Sequence, residues 1–436
     1  MRNCKTILLL IIFIFSTIAI SSCKRSEKSR AKILKIYNWA DYIDEEVLAE
    51  FPAWYKQQTG EEVKVVYQVF DMVEVMYTKV VLGHEDFDLV CPTQAIIERM
   101  LKQRLLLPMQ LADSSNNFIG NISPFITRQV ALFSIDSLDA NQYVVPYMWG
   151  TSGILYNKQW VDSATVSSWG AFWNPAHKGK VLMKDSYSDA YGTALLYAYR
   201  DSLAHGSLSG YQATNAHTPA DFLLAEQQLK ELRKNVAGWE ADFGKETMTK
   251  GKIWMTYAWS GDAVWAIDEA AEIGVELDYI VPREGSNIWF DGWVIPKYAQ
   301  NIKAASYFVS YLCQPEIALR NMDEIGYTSA VALPEMLEEL VDTAAYAPVD
   351  LSYLLGNDAE PMCLNPIQYP DASVVERCSL LHDFLDRNDA ALEMWSRAKG
   401  DSLNAGMAIA IFAFFGMLAF WLIYRKTSRW LTQKRR

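Results

Sequence analysis

Short apolar strands alternate with helices after the N-terminal leader, and this alternation constrains the fold more than any other feature of the sequence. Three strand patterns are each followed by a helical pattern before residue 103. In chain order the segments are 33–37, 44–58, 63–69, 72–82, 87–91 and 94–102. This order is typical of an α/β sheet, in which ligands bind at the carboxyl ends of the strands.

The second half of the chain continues the pattern with longer helices. Thr218-Pro219-Ala220-Asp221 resembles a capping box with proline at the first helical position, and it predicts a helix to about Lys234. Further strands are predicted over 253–257 and 278–281, and a long helix over 374–398. A chain of 436 residues can form two domains with separate cores.

Residues 1–22 have the features of an export signal. Two basic residues precede an apolar run over 7–20, which ends at Ser21-Ser22-Cys23 and is followed by charged residues. A short apolar run with small residues before a break is typically cleaved. The ending resembles a bacterial lipobox, so Cys23 is the predicted lipid-bearing first residue, followed by a charged tether over 23–32. The alternative is an ordinary signal peptide that happens to contain a cysteine.

Residues 405–424 contain no charge and no proline, and we predict that they form a transmembrane helix. A helix of this length spans roughly 30 Å, the hydrocarbon thickness of a bilayer. The tail over 425–436 has six basic and no acidic residues, which places it in the cytoplasm and the preceding chain outside. The sequence thus predicts a protein at the periplasmic face of the bacterial inner membrane, lipid-anchored, single-pass, or both.

The exported part of the chain is strongly acidic. The full sequence has 40 basic and 52 acidic residues. Two basic residues belong to the export signal and six to the tail, which leaves 32 against 52 and a net charge of −20. This charge argues against nucleic acid as a partner and is compatible with a cationic ligand.

Motifs for catalysis and metal binding are absent from the sequence. It has no HExxH, GxSxG, P-loop or GxGxxG motif, and its five histidines are scattered. We therefore predict no enzymatic activity, no cofactor and no metal. For Cys363 and Cys378, a disulfide and two free thiols are both open.

Aromatic residues stand beside carboxylates after four predicted strands. The groups are Trp39 with Asp41, Tyr187 with Asp185 and Asp189, Trp259 with Asp262, and Trp289 with Asp291. Carboxylates bind ammonium groups with about 1.5–3 kcal/mol per hydrogen bond. Indole faces add roughly 0.5–2 kcal/mol. Each residue alone is more often a core tryptophan or a helix cap. Their recurrence favours a site for an alkyl diammonium ion.

Several longer motifs follow one another along the chain. They are Tyr37-Asn38-Trp39, Phe87-Asp88-Leu89-Val90, Cys91-Pro92-Thr93, Val145-Pro146-Tyr147-Met148-Trp149-Gly150, Ser168-Trp169 with Phe172-Trp173, Trp259-Ser260-Gly261-Asp262, Trp289-Phe290-Asp291 and Ile325-Gly326-Tyr327. In order and spacing, the segment from about 34 to 398 resembles the periplasmic polyamine-binding proteins of spermidine/putrescine ABC transporters. The resemblance implies a two-lobed α/β periplasmic-binding-protein fold with a hinge and the ligand clamped between the lobes. The implied lobes are 33–142 with 292–333, and 143–291 with 334–398.

The resemblance also implies which residues bind the ligand. Asp291 would be the central anchor for one ammonium group. The matched positions are Trp39, Asp41, Tyr42, Thr93, Asp189, Trp259, Asp262, Trp289, Asp291 and Tyr327, and the aromatic–carboxylate pattern adds Asp185.

Three positions depart from the family. Ala95 and Ser186 stand where spermidine binders tend to carry a tyrosine and an acid, and Cys378 falls near a position that is glutamine in some members. Asp41 and Asp262 look like the putrescine-binding branch. We therefore expect the site to prefer a shorter diamine. The transmembrane segment is a further departure.

The expected function is an extracytoplasmic solute-binding protein that captures putrescine or spermidine for the permease subunits of an ABC importer. One alternative is a membrane-tethered polyamine sensor of the same fold with no transport role. Another is an exported enzyme. The 12-residue tail is too short for a signalling domain, which favours transport.

Overall fold

The computed structural model describes residues 30–110, 117–135, 138–241 and 243–400. The predicted export signal, Cys23, the 405–424 segment and the basic tail lie outside these ranges. The strands are β1 (Ile33–Trp39), β2 (Lys64–Phe70), β3 (Leu89–Val90), β4 (Leu106–Leu107), β5 (Val144–Asn157), β6 (Val181–Lys184), β7 (Val236–Glu240), β8 (Met255–Trp259), β9 (Leu277–Ile280), β10 (Asn287–Pro296), β11 (Thr328–Ser329) and β12 (Ser379–Leu380).

Helices connect most of these strands. They are α1 (Glu45–Thr59), α2 (Val73–Tyr77), α3 (Gln94–Lys102), α4 (Pro124–Ala131), α5 (Gly170–Trp173), α6 (Tyr187–Ala198), α7 (Arg200–Ala204), α8 (Gly210–Asn215), α9 (Pro219–Arg233), α10 (Gly244–Thr249), α11 (Ser260–Glu272), α12 (Ile302–Leu312), α13 (Pro315–Ile325), α14 (Pro334–Glu338), α15 (Ser352–Leu355), α16 (Ala372–Val375) and α17 (Asn388–Lys399). A π-helical turn, Thr78–Leu82, extends α2, and short 3₁₀ turns include Leu385–Arg387.

Local sequence signals set the ends of the first helix. The Asp44 side chain accepts a hydrogen bond from the Glu46 backbone N–H, as expected of an N-cap. The helix ends at Gly60, which has a left-handed conformation that costs glycine little. The predicted capping box of α9 is also confirmed, because Thr218 and Asp221 bond reciprocally.

Two long antiparallel strands run through the middle of the sheet. The sheet order is β2-β1-β3-β10-β5-β8-β6-β7. β1 is parallel to β2 and β3 on one side, and β6 is parallel to β7 and β8 on the other. The first half of β5 pairs with β10 and its second half pairs with β8 and β9. β5 therefore crosses from one half of the molecule to the other.

The buried apolar residues form two main cores, one in each lobe. The first core takes residues from 34–149 and 288–380, and the second from 154–257 and 384–398. A smaller cluster lies beneath α11. The segment 334–380 thus packs on the first core, whereas the resemblance had grouped 334–398 with the second lobe.

The predicted long helix over 374–398 is wrong. The segment forms the short helix α16, strand β12, a 3₁₀ turn and then α17. β12 pairs with β10 through Ser379 opposite Asn287 and Leu380 opposite Ile288. The chain passes from the first core to the second core here. The backbone of β12 pairs with β10, and residues in a continuous helix could not form that pairing.

Among the described residues, no helix has both the length and the apolar character needed to cross a bilayer. The predicted membrane helix over 405–424 lies outside those residues.

Candidate functional site

Strand β10 supplies the centre of the site because side chains alternate in direction along a strand. Asn287, Trp289 and Asp291 lie two residues apart and so share one face. Every residue of β10 is buried, and β3 and β5 flank the strand on its two sides. A backbone bridge joins Asp291 to Thr93, directly before α3. The structure thereby brings the predicted site residues Thr93, Trp289 and Asp291 together.

Asp291 is a buried carboxylate, and within the described ranges it forms no ion pair with a basic side chain. Burial raises the pKa of Asp291 to about 7, because loss of water disfavours the charged form. The Tyr42 hydroxyl lies close enough to oppose this rise, although it has no partner at normal hydrogen-bond geometry. An ammonium group beside Asp291 would favour its ionised form, so the position suits a cationic ligand.

Three aromatic rings surround this region. Tyr327 lies edge-on to Tyr42 at 5.4 Å and to Trp289 at 5.5 Å between ring centroids. The Tyr327 hydroxyl donates a 2.8 Å hydrogen bond to Oδ1 of Asp262. A side chain at Gly261 would come within 2.4 Å of the Tyr327 ring. The absence of a side chain at the start of α11 therefore lets Tyr327 reach Asp262.

Trp39 and Asp41 follow β1. Trp39 packs against Phe70 with ring centroids 4.6 Å apart. Asp41 is exposed and has a positive φ of 50°, a conformation that aspartate tolerates in turns. The turn leaves the Asp41 carboxylate in contact with solvent.

Asp189 forms a second buried acidic position, in the first turn of α6. The Tyr257 hydroxyl donates a 2.7 Å hydrogen bond to Oδ1 of Asp189, and Asn287 Nδ2 lies 3.5 Å from the same atom. Burial raises the pKa of Asp189, while the hydrogen bond from Tyr257 opposes the rise. Tyr257 and Asn287 were not among the predicted site residues, although both stand two positions from a predicted tryptophan on the same strand.

Lys184 is the most informative residue that the sequence analysis missed. Its Nζ lies 4.0 Å from the centroid of the Trp259 ring. The same atom is 3.1 Å from Oε1 of Glu240 and 3.9 Å from Oδ2 of Asp262. The sequence did contain one indication of this role: Lys184 stands directly before Asp185, at the carboxyl end of a strand.

Asp185 is placed apart from this cluster. Its carboxylate pairs with Nζ of Lys399 at 3.0 Å, and the residue is exposed. Ser186 caps α6, where its Oγ accepts a 3.3 Å hydrogen bond from the Asp189 backbone. Cys378 lines a separate 360 Å³ cavity with Phe125 and Tyr353. Cys363 and Cys378 are both free thiols.

Several polar atoms of the site are buried without a protein partner. Within the part of the chain that the structure describes, they include Nε1 of Trp39, Nε1 of Trp289 and the Tyr42 hydroxyl. Buried polar groups are normally satisfied. The rings of Tyr42 and Trp289 both contact Tyr327, so their two unpartnered atoms are consistent with a ligand or ordered water beside Tyr327. No group of three or more His, Cys, Asp or Glu side chains in the described ranges could hold a metal ion.

Comparisons with known proteins identify the family to which the chain belongs. Residues 53–346 match the family of bacterial extracellular solute-binding proteins. The chain is 30% identical over 335 residues to the putrescine-binding periplasmic protein PotF of Escherichia coli K12, covering 73% of this chain and 84% of that protein. It is 29% identical to the putrescine-binding periplasmic protein SpuD of Pseudomonas aeruginosa, covering 88% of this chain and 96% of SpuD.

A solved structure shows the same architecture. The substrate-binding protein PotD of a spermidine/putrescine ABC transporter from Streptococcus pneumoniae superposes with a TM-score of 0.63 and 28% identity. The match covers 84% of this chain and 98% of that one. The two-lobed α/β fold and the family resemblance predicted from the sequence are confirmed.

Proposed function

Because this chain belongs to the family of bacterial extracellular solute-binding proteins, we propose that it captures polyamines such as putrescine and delivers them to an ABC importer. The ligand would lie between Asp291, Asp189, Asp262 and the aromatic rings that adjoin them. The permease subunits of the importer would be its protein partners. Membership of a solute-binding family supports a role in binding rather than catalysis.

The main support for this proposal is the burial of Asp291. A carboxylate buried without a basic partner is unfavourable, and its pKa of about 7 reflects that cost. A ligand ammonium group would pair with it and remove the penalty. The Tyr42, Trp289 and Tyr327 rings are suited to contact the methylene chain between two ammonium groups. An anionic ligand would instead meet carboxylates at this position.

The proposed location is the periplasmic face of the inner membrane. The named relatives are periplasmic proteins, which supports the compartment. A lipid on Cys23 and a helix over 405–424 would hold the binding lobes at the membrane. No observation favours a sensor role without transport.

Calorimetric titration of the body 30–400 with putrescine tests the proposal. We expect Asp291→Asn to weaken binding by about 2–5 kcal/mol, because one ammonium group would lose its buried counter-charge. Asp201→Asn is the matched control, since Asp201 is exposed on α7 in the second lobe. Undiminished putrescine affinity in a folded Asp291→Asn protein would contradict the assignment of the anchor. Absence of binding of any polyamine to the unaltered protein would contradict the function.

A further inference from the structure

An ammonium group of the protein itself already occupies part of the candidate site. The Lys184 side chain is only 4% exposed, although lysine is rarely buried. Its Nζ contacts Glu240 at 3.1 Å and lies over the Trp259 ring at 4.0 Å. An indole face together with carboxylates is the environment expected for a ligand ammonium group.

Among the described residues, both carboxylates at this end of the site have lysine partners. Glu240 and Asp262 supply two carboxylates, and Lys184 and Lys245 supply two ammonium groups. Lys245 Nζ is 3.5 Å from Oδ1 of Asp262, and Lys184 Nζ is 3.9 Å from its Oδ2. A further ammonium group brought to Trp259 and Asp262 would meet like charge at short range.

The other end of the site is not balanced in this way. In the described ranges, neither Asp291 nor Asp189 forms an ion pair with a basic side chain, and burial raises the pKa of both. The demand for positive charge is therefore strongest at Asp291, because the charge of Lys184 already acts on Asp189 and opposes the rise of its pKa. A ligand ammonium group beside Asp291 would meet this demand.

We propose that Lys184 is a specificity-determining residue whose ammonium group takes the position that a distal ammonium of a longer polyamine would occupy. The cleft then selects a short diamine over a triamine. This inference rests on the proposed polyamine function and adds to it the residue that limits ligand length.

The buried partner of Lys184 keeps it in place. Glu240 is 1% exposed on its side chain, so withdrawal of Lys184 would leave a buried carboxylate without its counter-charge. Glu240 also accepts a 2.9 Å hydrogen bond from the Gly244 backbone, which fixes its carboxylate at the start of α10. A long ligand would have to break this pair before its third ammonium group could reach Trp259.

Calorimetry with putrescine and spermidine on the full-length protein in detergent tests the inference through the ratio of the two affinities. We expect putrescine to bind the unaltered protein at least as tightly as spermidine. In Lys184→Met, the third ammonium group of spermidine can replace the lost lysine charge beside Glu240. The affinity ratio of spermidine to putrescine should then rise by tenfold or more.

Two further variants make the outcome decisive. Lys184→Met with Glu240→Gln removes the buried pair together, so this protein should fold even if Lys184→Met does not. Its ratio should also rise, but by less, because the neutral amide that replaces the Glu240 carboxylate offers no counter-charge. Lys180→Met is the matched control, since Lys180 precedes the same strand and lies 5.7 Å from the Trp254 ring centroid. Its ratio should not change.

The possible failures are distinct. If the unaltered protein binds putrescine but the ratio stays within twofold in both Lys184 variants, the role of Lys184 is overturned and the proposed function stands. A preference of the unaltered protein for spermidine would also overturn the role of Lys184 and leave the proposed function standing. If the unaltered protein binds no polyamine, the proposed function fails and this inference fails with it.

Discussion

The protonation state of one side chain, Asp291, links burial to ligand binding. Its pKa of about 7 means that neutral and ionised forms coexist in the ligand-free protein near neutral pH. An ammonium ligand needs the ionised form. Alkyl ammonium groups stay protonated throughout this range, as lysine does with its pKa near 10.4. The dependence of affinity on pH therefore reports chiefly on the protein.

We expect putrescine affinity to be about tenfold weaker at pH 6 than at pH 8, because ionisation of a group with a pKa near 7 changes by that factor. Calorimetry across this range measures the effect. Asp291→Asn should show a much flatter profile, which separates Asp291 from Asp189 and Glu240, whose pKa values burial also raises. An equal slope in both proteins would remove Asp291 as the titrating group.

The raised pKa of Asp291 also makes the free energy of unfolding depend on pH. Asp291 has a pKa of about 7 when folded against 3.8 as its ordinary value. The folded state therefore binds the proton more tightly, and the unfolding free energy of the ligand-free protein falls as pH rises from about 4 to 7. Putrescine reverses this loss, so the stabilisation it confers should grow over the same range.

Residues near one another in the sequence could be predicted as a site, and residues joined only by sheet order could not. Trp289 with Asp291, and Trp259 with Asp262, stand close together along the chain at strand ends. Lys184 and Glu240 are far apart in sequence, and their contact depends on the parallel pairing of β6 with β7. No motif or spacing encodes that pairing.

At the scale of the elements, the two long central strands were the hardest to predict. β5 and β10 are buried along their whole lengths, so they show no alternation of polar and apolar residues. Their residues appeared in the sequence only as family motifs. In contrast, α1 and α9 have clear capping signals. Helix α3 has the predicted bounds, Gln94–Lys102.

The variant Gly261→Ala tests the close approach of Tyr327 to the start of α11. The added methyl group would lie 2.4 Å from the Tyr327 ring, so Tyr327 must move and its hydrogen bond to Asp262 should break. Overpacking of this kind costs about 1–3 kcal/mol of stability. Thermal unfolding and putrescine calorimetry should show a lower midpoint and at least tenfold weaker binding.

Gly120→Ala is the control for this change. Gly120 has no heavy atom within 4 Å of an added Cβ, and its φ is not in the left-handed region. We expect it to leave both measurements unchanged. A Gly261→Ala protein with the original stability and affinity would show that Tyr327 does not depend on the close approach to α11.

At the scale of the whole molecule, the sequence predicted only some of the segments that join the two lobes. Family resemblance predicted two lobes and grouped residues 334–398 with the second of them. Residues 334–380 pack on the first core, and the chain returns to the second core at Phe384. Pairing of β12 with β10 decides where it crosses. Arg99 of α3 then binds Asp383 at 2.6 Å, close to that crossing.

The molecule has two proposed anchors at the membrane. A lipid on Cys23 and a helix over 405–424 would anchor one body at both ends. A single lipid chain binds a membrane weakly compared with a transmembrane helix, so the helix should dominate retention. Anchoring would also keep the receptor near its permease at a raised effective concentration. Both anchors lie outside the binding lobes, so their removal should not alter polyamine affinity.

Truncation after Gly400 removes the proposed helix and preserves the end of α17, where the Gly400 backbone caps the helix and Lys399 pairs with Asp185. Exchange of residues 1–23 for an ordinary cleavable signal peptide removes the proposed lipid. We expect each single variant to remain in the membrane fraction and the double variant to appear in the soluble periplasmic fraction with unchanged putrescine affinity. Truncation alone should leave a salt-resistant but detergent-extractable pool, because a lipid holds by apolar contact rather than by charge. A double variant that still sediments with inner membrane after a high-salt wash would show that the binding lobes themselves hold the protein there.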